Sequence, residues 1–365
     1  MERKLTDSDI NFTGYNEMAA SGPWRITFDT NPDDCNMYCI MCEEHSEFSR
    51  LKKERIISGR PHRRMDISII RETIRQMSSR GLKEIIPSTM GEPLLYSHFS
   101  EIIDLCREYS IKLNLTTNGT WPGLGAEKWA ERICPVTSDV KISWNGASAS
   151  VQESIMKGSG YDRRIRDLRA FISVRDRIAK EGGNRCRITL QVTFMESNLS
   201  ELPDIVKLAA DNGVDRIKGH HLWAHFPEIG NQDLRRSSDS IMRWNTIVHK
   251  CFEVANEHRR YDGSGILLEN FTGIPEGIQR SMPDDWICPF LGREAWVNYE
   301  GRFDPCCAPD SERKTLGYFG NVLEDGGMPK IWESTAYRNL KKGYMGNEVC
   351  KKCNMRRPSG NVLQR

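Results

Sequence analysis

At 365 residues, with 38% hydrophobic and 28% charged side chains, the chain has the make-up of an ordinary soluble globular protein, long enough for one large or two modest domains. A net charge of +2 makes no case for nucleic acid or an anionic membrane, no run of about 18 apolar residues offers a membrane span, and the mixed-charge opening Met1–Asn11 is not a signal peptide. Twelve cysteines in such a chain suit metal ligation in a reducing compartment better than disulfides, and the expected location is cytoplasmic.

The segment Trp24–Asp29 reads as a first strand, and it runs into Cys35-Asn-Met-Tyr-Cys39-Ile-Met-Cys42. A C-x3-C-x2-C run packs three thiolates into one short loop. With no fourth cysteine nearby, a [4Fe–4S] cluster held there keeps one iron without a protein ligand, open for chemistry. Zinc has overlapping ligand spacings and would recruit His45 as a fourth ligand. The basic run Arg60-Pro-His-Arg-Arg64 suits either a solvated loop or a phosphate site.

Asp66–Arg80 carries a helical stripe of Ile67, Ile70, Ile74 and Met77, with Asp66 as N-cap and Gly81 past the end. Strand-like runs follow at Glu84–Thr89, Lys112–Thr116, Asp139–Ser143, Arg187–Phe194 and Arg216–Gly219. Between them lie helices such as Ser97–Tyr109 and Glu201–Asn212. Strand and helix in alternation specify a parallel sheet with crossover helices, whose sites gather at the carboxyl ends of the strands. The cysteine loop lies at such an end.

Polar turns mark the other strand ends. Strand two ends in Ser88-Thr-Met-Gly-Glu-Pro93, where a carboxylate and a glycine backbone would suit an ammonium donor. Strands three and four end in Thr116-Thr-Asn-Gly119 and Ser143-Trp-Asn-Gly146, and Gln191 and Thr193 share one face of strand five. Strand six enters Gly219-His-His-Leu-Trp-Ala-His225. Its adjacent His220 and His221 must point opposite ways, which argues against a shared metal and leaves substrate contact or acid–base help by one of them.

A helix over Ser238–His258 leads to the turn Asp262-Gly-Ser-Gly265, a candidate domain boundary. The division expected is an N-terminal extension over 1–23, a core domain over 24–262 and a C-terminal domain over 263–365. Beyond the turn, Cys288, Cys306 and Cys350-Lys-Lys-Cys353 form a second set of four, with a β-hairpin turning at Glu300-Gly301. Four thiolates close either a zinc or an iron–sulfur site. Cys106, Cys134, Cys186 and Cys251 suit the core, whereas Cys307 sits beside a ligand and faces the expected cavity.

Taken with its strand-end context, the C-x3-C-x2-C loop resembles that of the radical S-adenosylmethionine (radical SAM) superfamily, with Met41 where the family usually has an aromatic residue. The resemblance implies a partial (β/α)6 TIM-like barrel, cluster ligation by Cys35, Cys39 and Cys42, and reductive cleavage of SAM to a 5′-deoxyadenosyl radical. It implies SAM contacts from Gly91, Glu92 and Pro93 at the amino group, and from Ser143 and Asn145 at the ribose, with Asn118 in support and Gln191 on the inner face. Gly301-x4-Cys306 followed by C-x2-C resembles the auxiliary-cluster extension of the SPASM/twitch enzymes. With no cysteine after Cys353, the match is to the shorter, single-cluster twitch form. The resemblance therefore implies a second [4Fe–4S] cluster on Cys288, Cys306, Cys350 and Cys353, a spacing similar to that of the aminocyclitol dehydrogenase of butirosin biosynthesis. The activity expected is oxidation of a small polar, sugar- or aminocyclitol-like substrate, with an external one-electron donor such as flavodoxin or ferredoxin. The alternatives are an epimerase with Cys307 as hydrogen donor, a peptide-modifying enzyme, for which 23 residues before Trp24 leave little room for a recognition domain, and a zinc-stabilised binding protein.

Overall fold

The computed structural model describes residues 21–88, 90–274, 286–353 and 355–358. The expected N-terminal extension and Thr89 of the second expected strand thus lie wholly or almost wholly outside the described residues. The chain runs β1 (Arg25–Phe28), α1 (Arg50–Ser58), α2 (Ile67–Met77), β2 (Glu84–Ile86), α3 (Phe99–Glu108), β3 (Lys112–Thr117), α4 (Ala126–Ile133) and β4 (Thr137–Ser143). It continues through α5 (Ala149–Ile155), α6 (Tyr161–Lys180), β5 (Arg187–Phe194), α7 (Leu202–Asp211), β6 (Arg216–His221), α8 (Ser238–Glu257) and β7 (Leu267–Glu269). Strands β1 to β7 lie side by side in chain order, each parallel to the next. This is the partial (β/α) barrel expected; β1 to β6 were legible to within about two residues, whereas β7 was not anticipated.

The local causes are ordinary. Asp66 caps α2 by accepting a hydrogen bond from the Ser68 amide at 2.8 Å, and Gly81 stops the chain in the left-handed region. Along β5, Ile188, Leu190, Val192 and Phe194 are fully buried on the helix side. Burying each contributes about 1.5–3 kcal/mol. The long helix α6 was not singled out from its sequence, because charged residues crowd its apolar positions Leu168, Phe171 and Ile172.

The alternate residues point to the barrel interior, and their lowest layer is charged. Arg25 bridges Glu84 at 2.6 Å and Glu294 at 3.0 Å; Arg216 pairs with Asp139 and, at 2.6 Å, with Glu269; Lys218 reaches Glu269 at 3.0 Å. A bulge in β4 leaves Ser138 between the Leu113–Thr137 and Asn114–Asp139 pairs, where its hydroxyl donates to Glu84. Arg25, Glu84, Arg216 and Glu294 begin their strands, so these pairs close the amino-terminal end of the barrel. Buried pairs add little net stability because desolvation offsets attraction. Here they form a polar floor.

After β7 come β8 (Trp286–Ile287), β9 (Glu294–Val297), β10 (Phe303–Asp304), the short helices α9 (Asp310–Arg313), α10 (Gly327–Trp332), α11 (Thr335–Gly343) and α12 (Glu348–Lys351), and β11 (Arg357–Pro358). The expected hairpin is present as antiparallel β9–β10, turning at Gly301 with φ 86°. The sheet does not break at the boundary expected after Asp262. Strand β7 extends it on one edge, and β9 pairs in parallel with β1 on the other, so the hairpin completes a nine-stranded sheet. A separate pair, β8 with β11, joins the two ends of the C-terminal cysteine region.

Candidate radical SAM and auxiliary iron–sulfur sites

The cysteine loop leaves β1 and is stitched down from several sides. The Tyr38 amide donates to Lys157 O at 2.8 Å, the Ile40 amide to Ile155 O at 2.9 Å, and the Cys42 amide to Cys39 O at 3.0 Å. Burial pushes the Cys35 thiol up to about 11, and raises Cys39 and Cys42 as well. Charge on a neighbouring cysteine would raise Cys35 and Cys39 further, and the Glu43 and Glu44 carboxylates do the same for Cys42. Three buried thiols within each other's field stay protonated unless a cationic centre stabilises their thiolates, which is what an iron cluster provides. His45 does not complete a zinc site. It is buried, and its Nε2 lies 2.8 Å from the Pro32 carbonyl, to which it donates.

The basic run Arg60–Arg64 has a definite task that sequence reasoning left open. Arg63 donates to Asp33 at 2.6 Å and to Glu44 at 2.7 Å, Arg55 joins at Asp33, and Arg64 and His62 hold Asp34 at 2.7 Å each. Burial opposes ionisation of Asp33 and Asp34, yet these bonds outweigh it and keep both carboxyls below their usual range. The run thereby clamps the two residues before Cys35. Opposite charge at Asp33-Asp34 and at Arg63-Arg64 was the available signal.

The Gly91-Glu92-Pro93 turn packs directly on this loop. The Glu92 amide donates to Asp34 O at 2.7 Å, and the Asn31 side-chain amide donates to Glu92 O at 2.9 Å. Gly91 sits at φ 77°, and a Cβ there would fall 2.2 Å from Asn31 O, so only glycine fits. The Glu92 carboxylate, expected at the SAM amino group, is 1% exposed. It accepts from Thr117 Oγ1 at 2.7 Å, the Asn118 amide at 2.7 Å and the Leu94 amide at 3.2 Å. It thus locks the turn to the end of β3. Burial raises its pKa to about 7 even so.

Of the other expected contacts, Asn118 reaches the cluster loop, with Nδ2 2.8 Å from Asn36 Oδ1 and 3.8 Å from Cys35 Sγ. Ser143 and Gln191 are half-buried neighbours in register on β4 and β5. Asn145, expected at the ribose, follows Ser143 past the end of β4. It is 1% exposed, and its Oδ1 accepts the Thr193 amide at 2.8 Å, so its side chain serves the sheet. Sequence reasoning missed Arg164 of α6, which is buried under Trp144, donates to the carbonyls of Asn118 and Ser143, and lies close enough to Cys39 to favour its thiolate.

The two histidines separate as alternation requires. His220 shares a hydrogen bond with Thr193 Oγ1 at 3.2 Å on the inner face, while His221 packs against Phe194 and Trp244 outside. His220 retains accessible surface although protein surrounds it closely enough for burial to lower its pKa to about 4. Cys307 has the same character, exposed yet with its thiol pushed well up by burial. Both line space inside the molecule.

In the C-terminal region, burial raises Cys306 to about 12, Cys350 to about 11, and Cys288 as well. Charge on Cys288 or Cys353 would add to the rise at Cys306 and Cys350. The β8–β11 pair draws Cys288 and Cys353 toward each other along the chain, and Arg356, buried with Nε 2.8 Å from Trp286 O, favours the Cys350 thiolate. Among the described residues no three His, Cys, Asp or Glu side chains converge on one point as a single ion requires. Cys106, Cys134, Cys186 and Cys251 are buried core residues, as expected.

A model of the radical SAM superfamily matches residues 32–179, from the clamped acids through α6, and a model of the SPASM iron–sulfur cluster-binding domain matches residues 288–354. The chain carries a radical SAM domain followed by a SPASM domain. Its cofactors are accordingly SAM with a [4Fe–4S] cluster, and an iron–sulfur cluster in its SPASM domain. Among proteins similar to this radical SAM chain, mycofactocin maturase MftC of Mycolicibacterium smegmatis is 22% identical over 297 residues, covering 73% of this chain but 66% of its own length. Pre-heme d1 synthase of Dinoroseobacter shibae is 31% identical over 207 residues, 56% of this chain and 46% of its own. In fold, Streptococcus suis SuiB superposes with a TM-score of 0.63 at 14% identity over 93% of this chain and 74% of its own. The SAM-bound anSMEcpe superposes at 0.62, 16% identity, 91% and 87%. No described helix is long and apolar enough to cross a membrane.

Proposed function

We propose that this radical SAM enzyme oxidises its substrate by two electrons, with Cys35, Cys39 and Cys42 holding the SAM-binding cluster and Cys288, Cys306, Cys350 and Cys353 an auxiliary one. When bound, the first cluster with SAM would supply a 5′-deoxyadenosyl radical able to remove a hydrogen atom, and the second would offer an acceptor for the remaining electron as the substrate gives up a proton to solvent. The observation that carries this reading is the parallel pairing of β9 with β1, which joins the hairpin leading to Cys306 and Cys307 to the strand leading to Cys35. Through it both cysteine regions border one barrel. Glu92, Asn31 and Arg63 keep the first loop in place, and Ser143 and Gln191 offer partly open polar groups beside it.

Peptide substrates form a second reading. It is supported by the maturase names among the relatives, and by fold neighbours captured with the precursor peptide SuiA and the Kp18Cys peptide. Among the described residues nothing singles out a sugar or an aminocyclitol as the substrate.

The test is anaerobic reconstitution, reduction and addition of SAM. Wild type should form 5′-deoxyadenosine, Cys39→Ala none, and Cys306→Ala should still form it while losing one cluster's iron. Persistence of 5′-deoxyadenosine in Cys39→Ala would reverse the assignment. With any substrate that turns over, the product should be lighter by two hydrogens. A product of unchanged mass, carrying solvent deuterium and lost in Cys307→Ala, would instead make Cys307 a hydrogen donor.

A further inference from the structure

The floor of the barrel holds one cation that the fold leaves without a partner. Arg25, Arg216 and Lys218 each make direct ion pairs there. Lys141, on the inner face of β4 between them, makes no hydrogen bond and no ion pair among the described residues. The acids near it are already committed. Asp139 accepts from Thr189 at 2.7 Å and from Arg216, and Glu84 accepts from Arg25, Asn114 and Ser138. At longer range Asp139, Glu84 and Glu294 attract the ammonium while Lys218 and Arg25 repel it, and none of these acids bonds it directly. Burial lowers its pKa to about 8, a state a protein keeps at a cost unless something else completes it.

Position gives the vacancy a use. Lys141 lies two residues before Ser143 on the same face, roughly 6.5 Å deeper along the strand. Register sets Lys141 between Thr116 and Thr189, and one inward step above it Ser143 beside Gln191 and Gln191 beside Lys218, so an amide and a second ammonium lie just above the spot. His220, neutral at physiological pH, stands one inward step above Lys218. A ligand resting on Lys141 would extend upward toward the cysteine loop.

We propose that Lys141, with Gln191 and Lys218 one inward step above it, anchors a carboxylate of the substrate on the barrel floor, with the reacting carbon held above it near the SAM end. One ammonium without a direct partner, below the Gln191 amide, matches a single carboxylate; a phosphate dianion would need Lys218 freed from Glu269. This inference rests on the radical SAM reading for its orientation, and its test separates the two.

Reconstituted, SAM-loaded enzyme is titrated calorimetrically with glutarate and with its diamide, glutaramide, as probes. Glutarate should bind once per chain and glutaramide should not. Lys141→Met should weaken glutarate at least tenfold, Lys141→Arg should restore most of it, and Lys218→Met should act less. All variants should keep both clusters and form 5′-deoxyadenosine at the wild-type rate on reduction. Equal binding of acid and amide, unchanged affinity in Lys141→Met, or no glutarate binding to wild type overturns the proposal. Absence of 5′-deoxyadenosine from a wild type that still binds glutarate would instead count against the radical reading.

Discussion

Replacing Glu92 with glutamine tests how the SAM-side turn is built. The carboxylate is fully enclosed and accepts three hydrogen bonds, with Oε2 taking the Asn118 amide and Oε1 the other two. In Glu92→Gln one oxygen can still serve Thr117 and Leu94, but an NH2 group then faces the Asn118 N–H. Leaving one buried donor unsatisfied costs about 1–3 kcal/mol. The pH dependence is the sharper signature. Burial raises the folded pKa from 4.5 to about 7, so between these values the folded state holds a proton that the unfolded chain has released. Wild-type stability is therefore whole below about pH 4.5 and declines as pH rises to 7, by about 3 kcal/mol in all, since each unit is worth about 1.4 kcal/mol. Glutamine does not titrate. The gap between wild type and Glu92→Gln should consequently narrow by about 2 kcal/mol between pH 5.5 and pH 8. Anaerobic urea unfolding of the two reconstituted proteins side by side, followed by circular dichroism, reads that difference. A gap that is constant or widens with pH refutes the argument from burial.

Two further outcomes follow from the same geometry. Gly91→Ala puts a methyl group 2.2 Å from Asn31 O at φ 77°, a combined clash and strain of about 2–5 kcal/mol. It should empty the first cluster site while sparing the auxiliary one, as read by iron content and by loss of 5′-deoxyadenosine; normal iron at both sites would contradict the packing described. His221, with Nδ1 unpartnered among aromatic rings, has its pKa lowered by burial from 6.5 to about 4. As pH falls below 6.5 the unfolded chain takes up a proton that the folded one refuses, so wild type should lose about 2 kcal/mol by pH 5 that His221→Phe keeps. Parallel acid curves in matched thermal melts would show that the ring is not sequestered.

Much of this molecule was written in local patterns. A C-x3-C-x2-C run can grip a cluster only within one short loop, so its chemistry was legible without any fold. The alternation of apolar and polar residues along Arg187–Phe194 forces one face toward the helices and the other inward. Adjacent His220 and His221 had to diverge for the same reason. What tertiary structure alone decided depends on contacts between distant segments. No local feature of Glu294–Val297 announces that it will pair with Arg25–Phe28, because parallel pairing leaves no turn between the partners. Glu92 and Asn145 look like ligand groups in isolation, and only the fold adds the Thr117, Asn118 and Leu94 donors on Glu92 and the Thr193 amide on Asn145. Arg164 and the Arg63–Asp33 clamp are likewise invisible until a helix and a loop meet the cysteines. Lys141 reads as a plain strand lysine, and only the floor assembled from eight strands reveals that every acid near it is already taken.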